Sequence, residues 1–442
     1  MKKFSADYYL YFLLIFLSVF NDSFFSRLFG YFGRPILSVL FPAIFSLAVI
    51  LGRKITVDRL GRTLFMLLCY LLAVNFVADI IYAAFFSKTI IGDDYTAVKS
   101  IKEMTFFLYS ILYYALVLTF MKRLTPKQIC KPFVFTFYFL LFVLIVEILT
   151  MPTAWPIFHY NNGGLIDSLI DPSRYYERVR LTTTESSLTV PLIITFGTVT
   201  LWHYKQEQNK LMLIVSAMAM LCFFITSSAR TLLLFAIITI LTLIMSFLCK
   251  KKTKKGIIIA VLILILLPLV GLLVVGIVYS EVLTKSLGSL TTRTMELIAT
   301  VIHTVKYPLG VGNAIWGFTL EDILKNTVAW FSSNGPRIAW NYWEINQIIA
   351  NGPEGLGGSF GILLYGLYWG VVGTVVFYVA LIKLYKRYRT SRSYNMLLGA
   401  VFWGYIGIMT LTVPMNNCFP FWAFLAYLSA ISSEREGRSV HC

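Results

Sequence analysis

The most constraining feature of the sequence is a series of continuous apolar runs, each near 20 residues long. A helix of about 20 residues spans the hydrocarbon core of a bilayer, which is about 30 Å thick. We count about twelve such runs and expect each to form a transmembrane helix. They cover residues 8–21, 35–52, 63–86, 104–121, 132–150, 187–202, 211–226, 231–249, 256–279, 359–382, 396–413 and 418–432.

The composition excludes an ordinary soluble protein and a disordered one. Hydrophobic residues make up 58% of the chain and charged residues 13%, whereas soluble domains have about 25% charged residues. The runs are continuous rather than alternating, which argues against a β-barrel. Lys2 and Lys3 precede the first run, but no small-residue cleavage site follows, so we expect a retained helix. We therefore predict an all-α polytopic membrane protein with one integral membrane domain, residues 1–442.

The positive charges predict the orientation of the chain. If the N-terminus is cytoplasmic, the loops on that side hold 24 basic and 5 acidic residues, and the rest of the chain holds 14 and 16. Basic residues concentrate in short cytoplasmic loops, so we expect both termini inside. This asymmetry accounts for the net charge of +17. We therefore expect the lipid bilayer, and no nucleic acid, as a partner.

Two predicted outer loops are long, at residues 151–186 and 280–358. Loops of this length usually carry structure or function of their own. The second contains helix-like stretches, because several apolar residues recur near one face of a 3.6-residue period. The predicted cytoplasmic loops are short and lack a nucleotide-binding glycine pattern. We therefore expect any chemistry at the outer face.

Three arginines lie at predicted outer membrane boundaries, where the charge bias works against them: Arg180, Arg230 and Arg293. A guanidinium keeps its charge and binds phosphate through forked hydrogen bonds, so it suits a lipid pyrophosphate. The alternative for each is an interfacial arginine that reaches toward lipid headgroups. Arg178 lies beside Arg180 and is a further candidate for substrate binding.

Candidate bases lie in both long loops. Glu185 follows Arg180 by five residues, and a carboxylate near an arginine can act as a general base. A structural ion pair or a carboxylate at a helix N-terminus explains Glu185 equally well. Glu344 and Glu354 are rival bases.

Other polar and aromatic residues are weaker candidates. Trp340 and Trp343 are mid-loop aromatics that could stack on sugars or pack structurally. Asn75 and Asp79 share one helix face and favour a structural polar contact over a functional one. His159 and His303 are separate histidines without carboxylates at ligand spacing, and the six cysteines show no paired framework. We expect no metal, no cofactor and no disulfide.

The order of these elements resembles the O-antigen polymerase and ligase superfamily of bacterial envelope glycosyltransferases. Such proteins show an arginine followed by an acidic residue before a helix, here Arg180 to Glu185. They show a Ser-Arg pair in an outer turn, here 228–230 with one inserted residue. They also show an arginine, a helix and a P-x-G-x-G element, here Arg293 and 308–312. The resemblance covers residues 130–413.

One departure separates the branches of this superfamily. Ligases place a catalytic histidine about eleven residues ahead of a G-x-x-G pattern, and Ser359 occupies that position here. The resemblance therefore favours the polymerase branch. The alternatives are an O-antigen ligase that transfers glycan to the lipid A-core, and a polysaccharide flippase or other transporter. No internal repeat is obvious by eye, which weakens the transporter alternative.

The resemblance implies a location and a set of substrates. The location would be the bacterial inner membrane with the active face in the periplasm. The substrates would be undecaprenyl-pyrophosphate-linked oligosaccharide repeat units, and a chain-length regulator would be a partner. The implied catalytic residues are Glu185, Arg293 and Glu344, and the implied substrate-binding residues are Arg178, Arg180, Arg230, Trp340 and Trp343.

Overall fold

The computed structural model describes residues 5–21, 28, 33, 35–86, 89–91, 94–150, 181–182, 189–226, 235–244, 280–334, 342–352, 361–411, 415 and 418–432. These residues are almost entirely helical. One two-stranded antiparallel hairpin pairs β1 (Ile90–Ile91) with β2 (Asp94–Tyr95). The prediction of a helical membrane protein is therefore confirmed as a fold class.

The described helices fall into three groups along the chain. The first group comprises α1 (Ala6–Leu17), α2 (Ile36–Ile50), α3 (Arg59–Phe86), α4 (Thr96–Met121) and α5 (Pro126–Thr150). The second comprises α6 (Thr189–Leu192), α7 (Thr198–Gln206), α8 (Lys210–Thr226) and α9 (Phe235–Ile244). The third comprises α10 (Ser280–Lys306), α11 (Trp316–Asn334), α12 (Trp343–Ala350), α13 (Ile362–Arg389), α14 (Met396–Leu411) and α15 (Phe419–Ser432).

Four of the described helices are long and apolar enough to cross a membrane: α3, α4, α5 and α13. Shorter apolar helices occupy most of the other predicted spans. The predicted span at 256–279 lies outside the described residues. The total of twelve crossings and their orientation therefore stay predictions.

Helices α4 and α15 form the centre of the bundle. Tyr113, Tyr114 and Phe120 of α4 are fully buried, as are Trp422 and Tyr427 of α15. The ring of Tyr113 packs edge-on against Phe419, with the ring centroids 5.0 Å apart. A helix that is apolar on every side is expected to be surrounded by other helices, and α15 satisfies that expectation.

A π-helical turn, Ile193–Gly197, joins α6 to α7. The hydroxyl of Thr195 lies 3.0 Å from the carbonyl oxygen of Pro420 and 3.0 Å from the Tyr405 hydroxyl, which in turn donates to Pro191 O at 3.1 Å. Single π turns are frequent near functional sites. This turn holds the helix that follows residues 178–185 against α14 and α15.

Several basic loops meet at one end of the bundle, which we term the basic end. Asp7 at the start of α1 pairs with Arg53 at 2.7 Å and with Arg123 at 3.8 Å. Lys127 pairs with Glu207 at 3.3 Å. These contacts join the loops before α3, before α5 and after α7, which the charge pattern assigns to one side. Helix α3 begins at the basic end and α13 finishes there.

Candidate functional site

The predicted second outer loop contains α10, α11 and α12. The prediction of helices in this loop is confirmed, although α10, with 27 residues, is longer than the short helices expected. Helix α10 packs against the first half of α13, and α11 and α12 pack against α10. This end of the bundle, opposite the basic loops, is termed the site end. Here Phe318 of α11 stacks on Tyr82, near the end of α3, with the ring centroids 6.5 Å apart.

Helix α10 turns a polar face toward its neighbours. Four polar side chains on that face are buried: Thr292, Glu296, Thr300 and His303. On the opposite face, Val301 and Val305 are 49% and 67% exposed. An exposed apolar face suits contact with lipid. The apolar residues whose helical period predicts this helix therefore lie on its outer side. The polar face points inward, where a site can form.

Two of the predicted catalytic residues lie on neighbouring helices. The Thr292 hydroxyl of α10 donates a hydrogen bond to Glu344 Oε2 of α12 at 3.0 Å. Arg293 follows Thr292 directly in α10, so its backbone lies beside this contact; its side chain is outside the described part of the structure. Glu344 is half-buried. A half-buried carboxylate remains accessible to substrate, as a general base must.

Trp343, predicted to bind substrate, opens helix α12 and is 66% exposed. Its ring therefore lies at the surface next to Glu344 rather than in the core. Exposed aromatic rings at an outer boundary suit sugar stacking and also suit the interfacial belt of a membrane protein.

The stretch that follows Arg180 is anchored to the ends of two helices. The backbone N–H of Leu181 donates to Glu147 Oε2 of α5 at 2.9 Å. The Thr182 hydroxyl donates to Val19 O at 2.6 Å, just beyond α1. Leu181 is buried and has φ = 54°, an uncommon conformation for a residue with a side chain. The chain at Leu181 and Thr182 therefore has a fixed position against α1 and α5.

The remaining predicted site residues lie outside the described part of the structure: Arg178, Arg180, Glu185, Arg230 and Trp340. Their roles stay predictions.

The P-x-G-x-G element docks into a break in helix α13. Gly370 has φ = 66° and ψ = −166°, which interrupts the helix. The N–H of Gly312 donates to Tyr368 O at 3.0 Å, and the N–H of Val372 donates to Pro308 O at 3.3 Å. Backbone groups freed by a break in an apolar helix need new partners, and this element supplies them.

Glycine is required at the crossing of these two segments. Gly310 and Gly312 have φ of 81° and 82°, in the left-handed region. A Cβ at Gly310 would overlap Tyr368 O, and a Cβ at Gly370 would overlap Pro308 O. Both obstacles are backbone atoms, so no side-chain adjustment could relieve the overlap. The glycines of the predicted motif therefore permit close approach of two backbones.

The same element is attached to α3 and α4. Asn75 Oδ1 accepts the N–H of Asn313 at 2.8 Å, and the Asn313 amide donates to Ser100 O at 3.2 Å. All three residues are buried. The Tyr70 hydroxyl donates to Leu309 O at 2.7 Å. Asn75 therefore has a structural role, because it holds the 308–312 element against α3.

Asp79 lies one turn beyond Asn75 on the same face of α3. Its half-buried carboxyl lies beside the hydroxyls of Ser100 and Thr96 at the start of α4. Together these contacts connect the site end to the membrane helices.

His303 is buried in the polar face of α10 as a neutral imidazole. Its Nε2 lies 2.6 Å from Thr319 Oγ1, whose hydroxyl donates to Trp316 O at 3.0 Å. Since Thr319 already donates, Nε2–H of His303 is the donor in the shorter contact. Burial, and then the nearby Lys306, lowers the pKa of His303 to about 4. Its role is to hold α10 against α11.

The candidates chosen from the sequence do not include Glu296, which lies one turn beyond Thr292 and is buried. A repeat of polar residues at four-residue intervals, Thr292, Glu296 and Thr300, could have indicated it. The carboxylate lies on the face of α10 that carries the Thr292 to Glu344 contact. Among the described residues, no group of three His, Cys, Asp or Glu side chains could hold a metal ion.

The chain matches no family model, and no curated protein or solved structure is significantly similar to it.

Proposed function

We propose that the protein is a membrane glycosyltransferase that joins undecaprenyl-pyrophosphate-linked oligosaccharide repeat units at the periplasmic face of the bacterial inner membrane. The observation that supports this most is the contact between Thr292 and Glu344 at 3.0 Å. It places a half-buried carboxylate beside the backbone of Arg293, at the end of the bundle opposite the basic loops. The resemblance in motif order supports the same function.

The proposed reaction needs no nucleotide, because the donor sugar already carries a leaving group. Glu344 takes the proton from an acceptor hydroxyl of one repeat unit. The hydroxyl oxygen forms a new bond to C1 of the donor sugar. The bond between C1 and the pyrophosphate oxygen breaks, and the pyrophosphate lipid leaves with the electron pair.

Arginine suits the leaving group in this reaction. Negative charge grows on the pyrophosphate as the bond breaks, and a fixed guanidinium stabilises that charge. We assign this role to Arg293, with Arg180 and Arg230 as further anchors and Arg178 beside them. Glu185 is the other candidate base. Trp340 and Trp343 would contact the sugars.

The glycines and polar contacts of the site end fit this role by providing rigidity. A reacting hydroxyl and its base must be held within hydrogen-bond reach. The element at 308–312 fixes α10 to the broken helix α13 and to α3, so the polar face of α10 has a defined position.

An assay with purified protein and lipid-linked repeat units as the single substrate tests this function. We expect a ladder of longer lipid-linked chains. A ligase would leave the units unchanged until lipid A-core is added, and a flippase would leave their length unchanged in every mixture. Absence of a ladder with active, folded protein would refute the polymerase.

The Arg293→Ala variant tests the same function in cells. A polymerase defect should leave single lipid-linked units at the periplasmic face. Accumulation at the cytoplasmic face would indicate a transporter instead. Arg293→Lys should recover part of the activity, because lysine keeps the charge without the forked geometry.

A further inference from the structure

A cavity of about 720 Å³ opens at the basic end, between the start of α3 and the end of α13. Four of the residues that line it are cationic: Arg59, Arg62, Lys383 and Arg387. Arg59 and Arg62 are three residues apart on one helix, and Lys383 and Arg387 are four apart on the other. Each pair therefore shares a helix face, and both faces are directed at the same space.

Among the described residues that line the cavity, one carboxylate is present, Asp58, and it accepts hydrogen bonds from neutral donors. Asp58 Oδ1 accepts the N–H of Gly61 at 2.9 Å. Its Oδ2 accepts the Tyr114 hydroxyl at 2.9 Å and the Ser429 hydroxyl at 2.6 Å. Asp58 thus caps α3 and connects it to the central helices α4 and α15. Among the described lining residues, four cations therefore face one carboxylate.

Basic residues also outnumber acidic ones in the loops around the cavity, where Asp7 pairs with Arg53 and Arg123 and Glu207 pairs with Lys127. The cavity differs from these loops because it is concave, so that cationic side chains of two helices line one space. An anion inside it would gain charge-assisted hydrogen bonds from several directions.

The wall of the cavity is also partly apolar. Leu60, Ala380 and Leu384 line it and are buried in the bundle. A soluble anion gains nothing from such a wall, whereas a lipid headgroup with its first methylene groups would bury apolar surface there. The neighbouring face of α3 exposes Phe65 and Met66, as a helix in contact with lipid does.

We propose that this cavity binds the phosphate headgroup of an anionic phospholipid. The inference goes beyond the proposed function and does not depend on it, because the cavity is at the opposite end of the bundle. Basic pockets between transmembrane helices are suited to such headgroups. A bound lipid would bridge α3 and α13, the two helices that also carry the docking sites of the 308–312 element.

Thermal unfolding of the full chain in lipid nanodiscs tests the proposal. We compare phosphatidylcholine alone with mixtures that contain phosphatidylglycerol, and count retained lipids by native mass spectrometry. The test variant is Arg62→Gln with Lys383→Gln. The matched control is Lys386→Gln with Arg389→Gln, which removes the same charge from the same end without touching the cavity lining.

Phosphatidylglycerol should raise the Tm of the wild type and of the control, with a lipid retained in both. The test variant should bind phosphatidylglycerol about 30-fold more weakly, because each of the two cations removed contributes a factor of slightly more than about 5. Arg62→Lys with Lys383→Arg, which keeps the charge, should bind as the wild type does. This pair also shows whether loss of binding comes from misfolding.

Three results would overturn the proposal. Equal responses of the test and control variants would assign the effect to general surface charge. No stabilisation of the wild type by phosphatidylglycerol would exclude a lipid site. Stabilisation by inorganic pyrophosphate in phosphatidylcholine alone, equal to that by phosphatidylglycerol, would identify a soluble anion as the ligand.

Discussion

The two ends of the bundle handle polar groups in opposite ways. At the basic end, charged side chains meet across loops, as Asp7 does with Arg53 at 2.7 Å. At the site end, neutral polar groups form hydrogen bonds inside the bundle, as Asn75 does with the N–H of Asn313 at 2.8 Å. Ion pairs in which one partner is partly exposed are weakened by salt and contribute little, whereas buried neutral hydrogen bonds are costly to break. The difference suggests that the site end is built for fixed geometry and the basic end for attachment to a surface.

The largest expected effect on stability comes from the break in α13. Gly370→Ala would place a Cβ against Pro308 O at backbone angles that only glycine adopts freely. We expect a loss of about 2–4 kcal/mol of unfolding free energy, measured by unfolding in nanodiscs.

Gly52→Ala, at the basic end, is the matched control. Gly52 also has positive φ, at 69°, but a Cβ there would meet nothing within 4 Å. Its cost should be about 1 kcal/mol, from backbone strain alone. Equal costs for the two variants would show that the docked element does not constrain α13.

The next effect is a pH dependence that arises from His303 at the site end. Burial lowers the pKa of His303 to about 4 in the folded protein, against about 6.5 when unfolded. The contribution of neutral His303 to the free energy of unfolding is therefore fully present above pH 6.5. It is lost as the pH falls toward 4. The loss should approach about 3 kcal/mol, seen as a fall in Tm between pH 7 and pH 4.

His303→Gln should remove this part of the pH dependence, because glutamine does not titrate. The variant will be less stable at neutral pH, since it loses the contact with Thr319. A Tm profile with the same slope as the wild type would show that His303 is not the titrating group.

A smaller effect is expected from Asn75→Ala. The substitution leaves the buried N–H of Asn313 without its acceptor, which costs about 1–3 kcal/mol. Because both partners are neutral and buried, the cost should be the same at low and high salt. A cost that falls with salt would contradict the assignment of this contact to a dry interior.

The smallest effect belongs to the basic end. Asp7→Asn removes the charge that pairs with Arg53 and Arg123. The Asp7 side chain is 11% exposed, and the two arginine side chains are 28% and 35% exposed. We expect a loss of about 1 kcal/mol at low salt that shrinks as ionic strength rises. A loss that is large and independent of salt would erase the distinction between the two ends.

The sequence predicts the positions of the helices better than it predicts the contacts between them. Each predicted span except 256–279 contains a described helix, because continuous apolar runs have few other solutions in a bilayer. The first run, for example, ends early, with α1 finishing at Leu17 before Asn21. The helical period of α10 is likewise visible in the sequence.

Two features of the site required the structure. The residues around Gly370 are apolar on both sides, so nothing in the local pattern indicates a break in α13. The break depends on residues 308–312, which are distant in sequence and supply partners to its backbone. The buried polar face of α10 also could not be predicted from the period of its apolar residues. In a protein surrounded by lipid, the apolar face of a helix can point outward and the polar face inward. Glu296 was missed for that reason.

The motif residues differ in how far they can be interpreted. The glycines at 310 and 312 have a demonstrated geometric need. Glu344 has a defined neighbour in Thr292. For Arg180, Arg230 and Glu185 the motif order alone supports a role, so variants of these residues would extend the proposed site rather than test its described part.

The most direct test of the proposed chemistry compares two carboxylate variants in the repeat-unit assay. Glu344→Gln removes the proposed base but keeps an acceptor for Thr292. Glu321→Gln is the control, because that carboxylate lies on the neighbouring α11 and pairs with Lys325 at 2.6 Å. We predict that Glu344→Gln slows polymerisation by about 10²–10⁴-fold, whereas the rate of Glu321→Gln and the Tm of both variants stay near the wild type. Equal rates for the two folded variants would contradict it.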